Sequence, residues 1–182
     1  MKTSFLTLFA TVAVLCSTCQ SRPVPIYNRY GLYRLAVAGS GCFGTCPAFA
    51  LDMDSSLSCA YYGGRYAKHE GNYRGKVGAQ LWVKAIKQAN MLNLDSLPDA
   101  YAQNDDAALV QFILYTSSGE KHFLGSDGAL PDPLFKLYIW IATHESALTL
   151  RPAANSIHFA TYVQRELPAP PISTRRSVAP AN

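Results

Sequence analysis

The chain has 182 residues, of which 49% are hydrophobic and 15% charged, and a formal net charge of +4. This length fits one folded domain with additional segments at its ends. Between residues 30 and 150, nine Lys and Arg stand against eleven Asp and Glu, a net charge of −2, so the excess of positive charge lies in the flanks. A nucleic-acid-binding domain carries a basic face of its own, and we therefore expect no nucleic-acid partner.

The first 19 residues are typical of an export signal. A positive start at Lys2 is followed by an uncharged apolar run over residues 5–15 and then by small residues. The run is shorter than the ~20 apolar residues that a membrane-spanning helix needs. The order of the three parts predicts a secretory signal peptide over residues 1–19, which places the protein in the bacterial cell envelope or outside the cell.

The residues around Cys19 are similar to the lipid-attachment site of bacterial lipoproteins. Residues 15–20 follow the apolar run, and Cys19 stands where the lipid would be attached. Cys16 and Thr18 depart from the usual pattern, and ordinary cleavage near Thr18 or Cys19 would release a soluble protein instead. A diacylated Cys19 would hold the protein on a membrane, because each buried methylene adds about 0.8 kcal/mol of binding energy. We expect Cys19 to be the anchor and the membrane to be a partner.

Proline and small polar residues mark the segments on either side of the domain. Residues 20–29 predict an extended tether, because prolines at 23 and 25 exclude helix. Residues 30–150 form the single predicted domain, and residues 151–166 add an extension or a late strand, placed at residues 157–165. Residues 167–182 combine four prolines with Ser, Thr and Ala, a composition that predicts a disordered tail.

Alternation of apolar residues predicts strands in the first half of the domain. Three segments alternate with the period of two that indicates a strand: residues 32–37, 48–53 and 57–62. The turn at residues 54–56 makes the last two a β-hairpin. A turn centred on Ser55 would place Cys59 opposite Leu51. Residues 65–77 are polar and are expected to form an edge-like segment.

The second half of the domain adds a helix, a hairpin and another helix. Residues 78–92 carry apolar side chains at helical spacing. Residues 108–116 are apolar on both faces, which favours a central strand, and residues 121–124 complete a second hairpin. Asp132 as the cap and Pro133 in the first turn open the second helix. The order strands, helix, hairpin, helix predicts an α+β fold, in which an antiparallel sheet of hairpins carries two helices packed on one face.

The most specific chemistry lies in residues 41–47, Gly-Cys-Phe-Gly-Thr-Cys-Pro. An exported protein lies where disulfides persist, and a bent loop can bring the Cα atoms of Cys42 and Cys46 within the ~4.4–6.8 Å that a disulfide needs. Gly44 would supply unusual dihedral angles for the bend, and Pro47 would stiffen the exit. We predict a structural disulfide between Cys42 and Cys46, and a buried free thiol at Cys59.

A metal or thiol-exchange interpretation of the same cysteines stays open. The pattern Cys-x-x-x-Cys-Pro is similar to the copper-binding loop of the chaperones that deliver copper to cytochrome oxidase, and thiolates favour Cu(I). Cys42 and Cys46 are therefore the alternative metal ligands. In that family a helix follows the loop, whereas residues 48–53 predict a strand here, so no helix dipole would lower the pKa of the thiols.

The remaining polar residues show no catalytic pattern. The four histidines have no spacing of i and i+4. In the adjacent pairs His69-Glu70 and His144-Glu145, neighbouring side chains diverge on a strand or a helix. We expect no catalytic residue and no cofactor.

Residues 32–146 resemble an uncharacterised bacterial family, a domain of unknown function found in envelope and secreted proteins. The resemblance rests on the run Cys42, Phe43, Gly44, Thr45, Cys46 and Pro47. Gly71, Gly75 and the helix that starts at Gly78 match the later part of the family, whereas residues 55–56 are Ser where the family often has Gly. The resemblance implies a fold and an exported location, with no reaction attached. We expect an exported, lipid-anchored, non-catalytic domain that interacts with an envelope protein or ligand or supports the envelope; the alternative is a periplasmic thiol-redox or Cu(I)-binding protein.

Overall fold

A computed structural model describes residues 26–103 and 106–161 of the protein. Their strands are β1 (Arg34–Gly39), β2 (Phe49–Asp54), β3 (Ser58–Gly63), β4 (Gly71–Val77), β5 (Leu109–Thr116), β6 (Gly119–Ser126) and β7 (Leu148–Pro152). Their helices are α1 (Ala79–Asn90) and α2 (Asp132–Thr143), with short 3-10 turns at Asp127–Ala129 and Glu145–Ala147. The predicted signal peptide, Cys19, residues 20–25 of the tether and the tail at residues 167–182 lie outside the described residues. Neither α1 nor α2 is long and apolar enough to cross a membrane.

The seven strands form one antiparallel sheet in the order β6-β5-β1-β2-β3-β4-β7. The chain builds β1 to β4 side by side, and α1 then leads to the β5–β6 hairpin beside β1. α2 leads back to β7, which pairs with β4 at the opposite edge. The antiparallel sheet and the two helices confirm the mixed α and β composition that the sequence predicts.

Two strands occupy positions that differ from those expected. β5 lies second from one edge, between β6 and β1, and it is buried on both faces although it is not central. The polar β4 pairs with β3 on one side and with β7 on the other, so it is not an edge strand. Its glycine at position 75 allows β7 to approach β4 closely. A Cβ atom there would collide with the backbone carbonyl oxygen of Thr149 in β7.

The first hairpin has a different register from the predicted one. Met53, not Leu51, is the partner of Cys59, so the turn is centred on Ser56. Leu57 has a φ of 64° and extends the turn by one residue beyond the predicted segment. The Asp54 carboxylate accepts hydrogen bonds from the backbone and hydroxyl of Ser56, at 2.8 and 2.5 Å. These bonds lower the pKa of Asp54 and fix the turn.

The C-terminal half of the domain contains two further differences. The last strand is β7, and residues 157–161, where the sequence predicts the start of a late strand, are in no strand. α2 begins one residue earlier than a cap at Asp132 would require, because Pro131 is the cap and Asp132 the first helical residue. The Asp132 carboxylate instead accepts a 2.6 Å hydrogen bond from Lys136 one turn further on.

The main core cluster joins alternate residues of the strands to the apolar residues of both helices. It includes Leu35, Val37, Leu51 and Phe112 from the sheet, Leu81, Trp82 and Ile86 from α1, and Leu134, Leu137 and Ile141 from α2. A second cluster contains Ala38, Ala50, Tyr62 and Phe159. The side chain of Phe159 is only 1% exposed, because the alanines of this second cluster leave room for an aromatic ring.

Candidate functional site

The loop between β1 and β2 contains the motif residues 42–47 that the sequence singled out. Its two cysteines, Cys42 and Cys46, lie at disulfide-bonding distance, with their Cα atoms 5.5 Å apart. The Gly44 amide donates a 2.7 Å hydrogen bond to the Cys42 carbonyl, which closes a tight turn inside the loop. Gly44 does not have a positive φ, so the left-handed geometry expected there is absent.

The two ends of this loop are fixed to neighbouring elements. At its entry, the Ser40 amide donates to the Leu109 carbonyl, and the Leu109 amide donates back to the Ser40 hydroxyl, both at 2.9 Å. At its exit, Ala48 exchanges backbone hydrogen bonds of 3.0 and 2.8 Å with Arg65 and Gly64. Cys42 also packs against the main core cluster. The loop is therefore held at both ends as well as across the cysteine pair.

Phe43 is the most exposed large apolar residue at this end of the protein. Its side chain is 92% exposed, whereas its backbone amide donates a 3.3 Å hydrogen bond to the Asp106 carbonyl. The backbone is thus held while the ring points into solvent. From the sequence, Phe43 is a motif residue only, because nothing in a single sequence distinguishes an exposed Phe from a core Phe.

A second loop lies beside the first. Arg65 and Tyr66, together with Cys42 to Thr45, line a surface cavity of about 380 Å³. The Arg65 guanidinium carbon lies 4.5 Å from the centre of the Tyr66 ring, a cation–π arrangement. Tyr66 is 44% exposed and has a φ of 64°, a backbone conformation that is uncommon for a bulky residue. The two loops thus present two aromatic rings and one guanidinium around one concave surface.

The third cysteine of the domain is remote from this loop. Cys59 lies in β3 opposite Met53, whereas Cys46 precedes the start of β2. The seven steps along the chain from Cys46 to Met53 correspond to roughly 23 Å of extended strand. The Cys59 thiol is buried and free, and burial raises its pKa to about 11. This arrangement agrees with the predicted buried thiol.

A buried carboxylate close to the loop was not predicted. Glu145, in the 3-10 turn after α2, is 8% exposed, and its Oε1 accepts hydrogen bonds from the Tyr61 hydroxyl at 3.0 Å and the Lys68 amide at 3.2 Å. Its Oε2 lies 3.1 Å from His69 Nδ1. Burial, followed by the negative charge of Glu145, raises the pKa of the Tyr61 hydroxyl. The sequence offers no signal for this cluster, since it joins one member of each adjacent His-Glu pair across the fold.

The geometry of these groups limits what they can do chemically. Both oxygens of Glu145 are already engaged, so the carboxylate holds residues 68–69 against the end of α2. Within the part of the chain that the structure describes, no three His, Cys, Asp or Glu side chains are grouped closely enough to hold a metal ion. The loop itself is followed by β2 and not by a helix, as the sequence predicts.

Comparison with known proteins identifies the family. Residues 34–144 match the family described as Domain of unknown function (DUF6438), so the chain belongs to that family. The matched segment begins with β1, contains the cysteine loop and both helices, and ends immediately after α2. No curated protein and no solved structure matches the chain.

Proposed function

We propose that the protein is an exported, lipid-anchored binding module of the bacterial cell envelope, without catalytic activity, which presents Phe43 to an envelope partner. The observation that carries this proposal is the 92% exposure of Phe43 at the tip of the loop closed by Cys42 and Cys46. Leaving such a side chain in water gives up roughly 1.5–3 kcal/mol of burial free energy. A partner that covers the ring would recover that free energy.

Fixation of the loop supports a binding role. A partner that binds a flexible loop must also order it, and each immobilised side chain costs about 0.5–1.5 kcal/mol. Here the cysteine pair and the hydrogen bonds at Ser40 and Ala48 already order the loop in the free protein. Aromatic residues and Arg are also the residue types that dominate binding energy at protein interfaces, and Tyr66 and Arg65 lie beside the loop.

The absence of catalysis is proposed from the state of the titratable groups. Glu145 is the buried carboxylate nearest to the loop, and its oxygens accept bonds from Tyr61 and Lys68 and contact His69. A general base needs a free acceptor within reach of a substrate proton, and each oxygen of this buried carboxylate already has a protein partner. The cluster is better suited to supporting the second loop than to proton transfer.

We also propose that both helices pack on one face of the sheet, which is the arrangement expected from the sequence. Apolar residues of α1 and α2 share one buried cluster with Leu35, Val37 and Phe112. Phe159 belongs instead to a separate cluster with Ala38 and Ala50, which alternate with those strand residues. This arrangement leaves the loops at the end of β1 open to a partner.

A site-specific photo-crosslinker at position 43 tests the binding role. We expect one discrete crosslinked product in intact cells when the crosslinker replaces Phe43. Tyr33 is the matched control, because it is 51% exposed and lies at the other end of β1. The proposal fails if positions 43 and 33 give the same products, or if neither position gives any.

Mass spectrometry of the mature N-terminus tests the location independently. We expect a diacylglyceryl modification on Cys19, and its loss together with release from the membrane in a Cys19→Ser variant. A mature chain that starts at an unmodified Gln20 would rule out the anchor while leaving the binding role of Phe43 open to its own test.

Thiol exchange or Cu(I) binding is the second candidate function. The observation in its favour is that both cysteines lie in a surface loop and are only partly buried. In thiol exchange, the Cys42–Cys46 bond would accept two electrons and two protons from a partner dithiol, which would itself become a disulfide. Counting the reactive thiols of the native protein distinguishes a structural disulfide from thiol exchange or Cu(I) binding. A structural bond leaves Cys42 and Cys46 unlabelled. Rapid labelling of both cysteines would favour the second candidate. Tight Cu(I) binding that is lost in a Cys42→Ser/Cys46→Ser variant would favour it as well.

A further inference from the structure

A groove with mostly apolar walls runs along the solvent side of the two helices. It has a volume of about 480 Å³, and its walls include Phe135, Ile139 and Trp140 of α2 and Gln88 of α1. Ile139 is 40% exposed. The Gln88 Oε1 atom is buried and has no hydrogen-bond partner within the described ranges. The groove therefore offers apolar contact area to a partner.

The charged residues of this groove are all basic. Its lining contains Lys84, Lys136 and His144 and no Asp or Glu, although Lys136 is paired with Asp132 at 2.6 Å. Lys84 Nζ lies 5.1 Å from the centre of the Trp140 ring, and that ring stacks on His144 at 4.6 Å. α1 contains no acidic residue along its whole length, and Lys87 adds an exposed positive charge beside Lys84. The groove thus combines apolar side chains with positive charge.

The start of the described chain reaches the same helix. The Asn90 side chain, at the end of α1, donates a 2.6 Å hydrogen bond to the Tyr27 carbonyl and accepts a 2.9 Å hydrogen bond from the Arg29 amide. Tyr27 is 76% exposed, and Met91 is 65% exposed. Met91 follows Lys84 and Gln88 at helical spacing, so all three share one side of α1.

This attachment places the expected anchor close to the groove. Only six residues lie between Cys19 and Ile26, where the described chain begins. The seven steps from Cys19 to Ile26 span at most ~25 Å, so a lipidated Cys19 can lie no further than that from Ile26. A lipid on Cys19 would therefore hold the end of α1 near the membrane surface.

We propose that the outer helical face, formed by Lys84, Gln88, Met91, Phe135, Ile139 and Trp140, rests on an anionic lipid surface. This inference deepens the proposed function, since it assigns a membrane-facing side to the anchored module. Trp and Tyr favour the boundary between headgroups and acyl chains, and lysines near an anionic surface attract it electrostatically.

Vesicle binding by the chain from residue 19 onward, without the signal peptide and carrying Cys19→Ser, tests the inference without the lipid anchor. Trp82→Phe in the same chain leaves Trp140 as the only tryptophan, because the sequence contains two. We expect a blue shift of Trp140 emission with phosphatidylglycerol vesicles at low salt, loss of that shift in 0.5 M salt, and none with phosphatidylcholine vesicles. Quenching of both tryptophans by brominated lipids, with Trp82 retained, covers the case in which the Trp82→Phe variant does not fold.

Variants that remove a positive charge or an apolar side chain test which residues of the outer helical face contact the lipid. One positive charge near an anionic membrane contributes about fivefold in affinity, so Lys84→Gln/Lys87→Gln should weaken vesicle binding about 25-fold. Lys68→Gln/Lys76→Gln, which removes two exposed lysines outside α1 and α2, is the matched control and should change binding less than twofold. Ile139→Gln should weaken binding further.

The vesicle measurements and the mass spectrometry of Cys19 test two separate claims. Vesicle binding through the outer helical face would stand even if mass spectrometry found no lipid on Cys19. The inference is overturned if anionic vesicles do not shift Trp140, or if both lysine pairs weaken binding equally. It is also overturned if a Glu-rich amphipathic peptide shifts Trp140 where vesicles do not, because the groove would then fit a protein segment.

Discussion

His69 Nδ1 lies 3.1 Å from Glu145 Oε2, although 76 positions separate the two residues in the chain. Glu145 also accepts the Tyr61 hydroxyl, so one carboxylate links β3, the loop before β4 and the turn after α2. Pro47, Tyr66 and Lys68 share a 210 Å³ cavity with Glu145. The carboxylate therefore supports the second of the two loops that line the surface around Phe43.

Replacing Glu145 with Ala should destabilise the protein by about 3 kcal/mol, because the Tyr61 hydroxyl and the Lys68 amide lose their acceptor. The free energy of unfolding, measured by urea denaturation, checks the value. Tyr61→Phe in the same background should recover part of the loss by removing the unpaired hydroxyl. Glu70→Ala, at an exposed neighbouring carboxylate, should change stability by less than about 0.5 kcal/mol. Equal losses of stability in Glu70→Ala and Glu145→Ala would contradict a specific role for the Glu145 cluster.

Cys59 should make stability fall at alkaline pH. Burial raises the pKa of its thiol to about 11 in the folded protein, from an ordinary value near 9. Below pH 9 both states keep the proton, whereas between pH 9 and 11 the unfolded chain loses it first, so the free energy of unfolding decreases as pH rises. Compared with Cys59→Ala, the wild type should lose roughly 1–2 kcal/mol more between pH 8 and pH 11. Parallel curves for the two proteins would show that the thiol is not buried as described.

Gly75 should be essential for the pairing of β4 with β7. In a Gly75→Ala variant the new Cβ would collide with the Thr149 carbonyl oxygen and would lie 3.2 Å from the Leu150 Cα. We expect a loss of about 1–3 kcal/mol and faster hydrogen exchange of the amides along β7. Gly128→Ala provides the control, since no heavy atom lies within 4 Å of a Cβ at that position. An unchanged exchange rate along β7 would argue against this contact.

The sequence predicted those strands and helices whose pattern of apolar residues repeats within a few neighbouring positions. The alternation in β2 and β3 and the helical spacing in α1 were both confirmed, because each depends on residues a few positions apart. The predicted register of the β2–β3 hairpin was wrong by two positions, because Leu57 belongs to the turn, where it has a positive φ. A slip of two residues leaves side chains on the same face of a strand, which explains why Cys59 was still correctly predicted to be buried.

Other features depend on partners that are distant in the chain. β7 is only five residues long and has no repeating pattern of its own, so its position follows from β4, the strand it pairs with. The same strand pair makes β4 an inner strand despite its polar sequence. In the candidate site, the cysteine pair could be predicted from spacing and export context. The exposure of Phe43 and the contact between His69 and Glu145 could not, because both depend on the completed fold.

Removing the bond between Cys42 and Cys46 should weaken the loop without unfolding the domain. For a closed loop of this size, chain entropy predicts a loss of about 2 kcal/mol. The sheet and helices should persist, because the core cluster consists of residues outside the loop, with Cys42 only packed against it. Thermal unfolding and the crosslinking yield at Phe43 should both fall in Cys42→Ser/Cys46→Ser. Thr45→Ala, which leaves the cysteines in place, should preserve both. If the double Ser variant keeps full stability and full crosslinking, the cysteine pair does not brace the loop, and thiol exchange becomes the better explanation for two cysteines at this surface.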